Sequence, residues 1–107
     1  MNVLFDQNVP RNLRRYLSGH RVSTALEMRW DRTVNSALLK AAEVAGFDVF
    51  VTGDQNLSYQ QNLANRKIAI VELNDNKWPL VRPHVTQIAN AVDSCVPGSY
   101  ITIFCGN

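Results

Sequence analysis

Short, almost entirely apolar runs recur along this chain, each closed by a polar residue and separated from the next by a segment of helix length, with Glu72 the one charged residue inside them. Val3-Leu4-Phe5 ends in Asp6, Val49-Phe50-Val51 ends in Thr52-Gly53-Asp54, and Ile68 to Leu73 ends in Asn74-Asp75. Runs of this length with no polar alternation are strands buried on both faces, which is the condition of a parallel sheet. Parallel neighbours cannot be joined by tight hairpins, so the intervening segments must be crossovers that pack on the sheet.

Those segments read as helices. Asn8 and Pro10 open a helix over 10–18 with Leu13 and Leu17 at helical spacing and Gly19 as its stop. His20 to Thr24 reads as a second strand. A further helix, capped by Thr33 or Asn35, carries Leu38, Leu39, Ala41, Ala42 and Ala45 on one side and ends at Gly46. Residues 56–65 keep Leu57 and Leu63 without a breaker and form another helix candidate. Trp78-Pro79 opens a long helix with Val85, Ile88, Ala89 and Val92 as its apolar stripe, its true start falling after Pro83 if that proline interrupts it. Pro97-Gly98 then turns the chain into a last strand, Tyr100 to Phe104, at an edge. The expected fold is one α/β domain over residues 1–107, a three-layer α/β/α sandwich with a mainly parallel sheet of about five strands. With 46% apolar residues it can bury one core without metal or disulfide support.

The formal charge of +2 does not by itself imply nucleic acid. The arginines are nevertheless biased forward, with Arg11, Arg14, Arg15, Arg21 and Arg29 in the first third. Cys95 and Cys105 match no zinc or redox spacing and read as reduced thiols. With no basic leader before Val3 and no apolar stretch near the roughly 20 residues of a membrane span, a cytoplasmic protein is expected.

In open parallel sheets, ligands bind beyond the carboxyl ends of the strands. That rule selects Asp6 with Asn8, Asp54 with Asn56, and Asn74 with Asp75. Oxygen donors of this kind suit Mg²⁺ or Mn²⁺, although Asp and Asn at strand ends ordinarily cap helices or make turns. His20 and His84 stand alone and read as structural or solvated.

The segments LFDQNVPRNLRRYL, ALEMRW, the polar helix start at Asn35, and VFVTGDQNL follow one another in the order of a known pattern. Over roughly residues 3–73 the chain resembles the PIN-like domains, in particular a compact family grouped with the VapC-type toxin ribonucleases. The resemblance implies a Mg²⁺- or Mn²⁺-dependent endoribonuclease of toxin-antitoxin type. Asp6, Glu27 and Asp54 would be its catalytic, metal-binding carboxylates, supported by Asn8, Asn35, Asn56 and Asp75. Its RNA would be held by Arg11, Arg14, Arg15 and Lys77, with Trp78 and Tyr59 as candidate stacking partners. It also implies a small antitoxin partner and leans toward a homodimer. Three positions depart from the pattern, because Asn35, Asn56 and Gln7 stand where carboxylates are usual. Asparagine can ligate through its carbonyl but brings no charge, so a second reading is a PIN-like module that binds RNA or a protein without cleaving. A phosphoacceptor receiver domain would need a paired acid after Asp6, where Gln7 stands, and no glycine-rich phosphate loop is present.

Overall fold

The structure is a computed structural model that describes residues 1–33, 35–53 and 66–105, the side chains of residues 35 and 36 excepted. Asp54, Asn56, Tyr59 and the expected helix over 56–65 lie outside the described residues, as does the side chain of Asn35.

Five strands form one sheet: β1 (Asn2–Phe5), β2 (Arg21–Thr24), β3 (Val49–Thr52), β4 (Ala69–Leu73) and β5 (Tyr100–Ile103). Their order is β2-β1-β3-β4-β5, and every neighbouring pair is parallel. Three α-helices are described, α1 (Asn35–Val44), α2 (Trp78–Val81) and α3 (Val85–Ser94), with 3₁₀ helices at Arg11–Tyr16 and Arg82–His84. The architecture is therefore α/β with a five-stranded parallel sheet.

The most apolar strands lie inside the sheet. Every residue of β3 and β4 is buried, whereas β5, at an edge, is mostly half-buried. Strand alternation sends Val3, Phe5, Val49, Val51, Val71 and Ile103 to a core shared with Leu13, Leu17, Val81, Ile88 and Val92. Leu4, Phe50 and Ile70 point the other way, onto Leu38, Leu39 and Ala42 of α1. Each such side chain contributes about 1.5–3 kcal/mol when fully buried.

One helix differs from expectation and another follows the alternative that its proline offered. The segment expected as a helix over 10–18 is a 3₁₀ helix of six residues, with Leu13 N and Leu17 N each donating at 3.1 Å to carbonyls only three residues back, on Pro10 and Arg14. So short a segment gains little from α-helical propagation, and the tighter winding still buries Leu13 and Leu17. Gly19 does not take up the left-handed backbone expected of a stop, while Gly46 does, with φ 89° after α1. The helix opened at Trp78 is interrupted, and its long part starts after Pro83, as that proline allowed. Pro83 cannot donate to the carbonyl four residues back, and the chain passes through a 3₁₀ turn before α3 starts at Val85. Among the described residues no helix is long and apolar enough to cross a membrane.

Candidate functional site

From β1 the chain leaves toward β2, and from β3 it leaves toward β4, so these two adjacent strands are where the connections diverge. A crevice outside their carboxyl ends is the expected ligand position for such a sheet. Asp6 sits there. Its backbone N–H donates to Val51 O at 2.9 Å, which extends the β1–β3 pairing by one residue. The side chain is held by neutral donors: Oδ1 accepts the Gln7 N–H at 2.8 Å and Oδ2 accepts the Thr52 hydroxyl at 2.8 Å. Thr52 is fully buried as the last residue of β3.

Asn8 adds a second tie across the same gap, its Oδ1 accepting the Gly53 N–H at 2.9 Å. A Cβ at Gly53 would lie 3.3 Å from Asn8 Cγ and 3.4 Å from Asn76 Cβ, so three loops converge on a residue without a side chain. Asp75 is used differently. Its Oδ1 accepts the Lys77 N–H at 2.9 Å, an Asx turn before α2, and Asn74 Oδ1 accepts the Cys105 N–H.

Glu27 belongs to the turn after β2. Its Oε1 accepts the Thr24 N–H at 2.9 Å while its own N–H donates to Thr24 Oγ1 at 3.0 Å, a reciprocal arrangement of the capping-box kind. Arg14 approaches from the 3₁₀ helix and donates from Nη1 to Oε2 and from Nη2 to Oε1, both at 3.0 Å. Hydrogen bonding from this guanidinium, with the Thr24 amide behind it, holds the Glu27 carboxyl below its usual range despite the pair's exposure. Arg14 Nη2 also donates to Val22 O.

Phe5, Arg11, Arg14, Thr24 and Glu27 enclose a cavity of about 160 Å³ beside the end of β1. With three residues per turn, a 3₁₀ helix stacks positions three apart on one side, so Arg11 and Arg14 share the cavity. Arg15 is exposed and does not line it, and Lys77 is exposed beside α2. Trp78 lies against the Tyr16 ring, 5.9 Å between centroids, and packs on the core.

The expected site residues thus divide. Asp6 and Asn8 are joined to the end of β3, Glu27 is joined to Arg14, and Asp75 serves a turn. Among the described residues no three His, Cys, Asp or Glu side chains gather as a metal-holding group. Asp6 nonetheless suits a hard cation, since a carboxylate offers about four acceptor positions and, among the described residues, two are engaged. Glu27 does not suit one while Arg14 holds both its oxygens.

Sequence reasoning did not single out the Thr52 hydroxyl, Gly53, Asn76 or the Arg14–Glu27 pair. It also passed over Glu72, a buried carboxylate of β4 that accepts the Tyr100 hydroxyl. His20, just before β2, lies between the Met1 amine and Asp93. Both cysteines are free, and burial raises the pKa of each thiol. The chain matches no protein-family model, no curated protein and no solved structure.

Proposed function

We propose that the chain is a cytoplasmic PIN-like domain, a three-layer α/β/α sandwich, that cleaves RNA as a metal-dependent endoribonuclease of toxin type. The observation that carries this reading is the pair of ties from the end of β3 to Asp6 and Asn8, at the point where the strand connections diverge. They fix a half-exposed carboxylate by neutral donors, leaving its charge for a ligand. Asp6 and Asp54 would hold Mg²⁺ or Mn²⁺, which when bound polarises a phosphoryl oxygen and lowers the pKa of an attacking water. Asn8 holds Gly53, the residue that precedes Asp54 in the sequence. Arg11 and Arg14 hold the RNA strand by its phosphates from the adjoining cavity. A small antitoxin protein is the partner this reading calls for.

One observation favours the second reading, a module that binds RNA or protein without cleaving it. Both Glu27 oxygens are bound by Arg14, so the third carboxylate of the resemblance is engaged elsewhere. Incubating the purified protein with a mixed single-stranded RNA pool under Mn²⁺, Mg²⁺ or EDTA separates the two. Metal-dependent cleavage that disappears in an Asp6→Asn, Asp54→Asn double variant supports the nuclease. Intact RNA after incubation with folded protein supports the binding module.

A further inference from the structure

We propose that the cavity between the 3₁₀ helix and the turn after β2 is a phosphate subsite, in which Glu27 is a stand-in anion that an RNA phosphate replaces. The inference rests on the reading of RNA as the ligand and adds where, and by what exchange, the strand is held.

The fork that Arg14 presents to Glu27 is the geometry that also grips a phosphate, since both ligands offer paired anionic oxygens to parallel N–H groups. Arg14 does not depend on Glu27 for its aim. Its Nη2 is anchored to Val22 O on β2, so the guanidinium stays directed at the cavity when the carboxylate leaves. The Thr24 N–H, now on Glu27 Oε1, becomes a further donor at the same moment.

Charge points the same way. Two guanidinium groups and one carboxylate line the cavity, and Arg11 makes no ion pair among the described residues. Among the described residues, one positive charge is left without an ion-pair partner on the side of the helix that Arg14 shares. The cavity, about 160 Å³, admits an oxyanion of a few water volumes at ~30 Å³ each. The exchange is easy because the side chains of Arg14 and Glu27 are 45% and 49% exposed, and ion pairs so exposed are weak.

Binding of a short fluorescent single-stranded RNA in EDTA, over a series of salt concentrations, tests the subsite without cleavage. Arg11→Ala alters an exposed side chain with no ion pair among the described residues and leaves the fold intact. It is expected to weaken binding about fivefold. It is also expected to flatten the dependence of log K on log salt by about 0.7, the value for one lost phosphate contact on a single strand. Glu27→Gln removes the competing anion and is expected to tighten binding about threefold at low salt. Inorganic phosphate, added alone, is expected to shift the Arg11 and Arg14 Nε resonances and not that of Arg15. Unchanged affinity and salt slope in both variants overturn the proposal, as does a phosphate titration that leaves Arg11 and Arg14 unmoved. Absence of cleavage in metal with these binding effects intact overturns the nuclease reading alone.

Discussion

Asp6 and Glu27 are both carboxylates placed just past the end of a strand, and the fold treats them oppositely. Asp6 is gripped by a hydroxyl and an amide, donors that fix its orientation and leave its charge uncompensated. Glu27 is gripped by a guanidinium that fixes its orientation and neutralises it. Proximity to a strand end therefore does not make a carboxylate a cation ligand. What matters is whether the groups orienting it are neutral or positive.

The largest effect expected from this contrast is on divalent-metal affinity. Asp6→Asn should lower Mn²⁺ binding at least about tenfold, ~1.4 kcal/mol, whereas Glu27→Gln should change it less than about twofold. Equal losses, read by calorimetry, would make the two carboxylates equivalent and break the comparison. Next is Thr52→Val, which keeps the shape and deletes the hydroxyl donated to Asp6. It should cost about 1 kcal/mol in urea denaturation, the order expected for one hydrogen bond to a charged acceptor beside solvent. A smaller effect belongs to the ion pair: a double-mutant cycle with Arg14→Ala and Glu27→Ala should give a coupling below about 1 kcal/mol, shrinking further with added salt.

The smallest effect is a pH dependence of that same pair. Because the folded state lowers the Glu27 pKa from 4.5, its contribution is fully present above about that value and is lost as pH falls through the lower folded pKa. The stability difference between the native chain and Glu27→Gln should therefore stay flat from neutral pH down to about 4.5 and close only below it. Closure at neutral pH would mean that Arg14 does not engage the carboxylate in solution.

The sheet was legible because β3 and β4 are buried on both faces, and nothing but apolar residues, threonine and one glutamate occupies them. Asp6 and Asn8 were legible for a related reason, since a strand end is visible wherever an apolar run stops. Their partners were not. That Thr52 and Gly53 stand opposite them depends on strand order and register, which local spacing does not encode. The Arg14–Glu27 pair spans 13 residues and two different turns, so no periodicity reveals it. The arginine helix was misread in its pitch: Leu13 and Leu17 satisfy a 3.6-residue repeat, yet the hydrogen bonds close three residues back. That pitch puts Arg11 and Arg14, three residues apart, on one side of the helix. In the Trp78 segment the proline was the legible signal, since the long helix starts just after it, at Val85.

The central position of β1 has a consequence in time. Its own strand emerges first in synthesis, but the residue that holds the Asp6 carboxylate on its β3 side comes 46 positions later. At roughly 5–20 residues per second, the interval between them is about 2 to 9 seconds. Throughout it, Val3, Leu4 and Phe5 lack the neighbour that buries them on that side, and Asp6 is an ordinary solvated aspartate. The growing chain thus carries its first site residue long before it carries a site, and any chemistry at that edge begins only after β3 has docked.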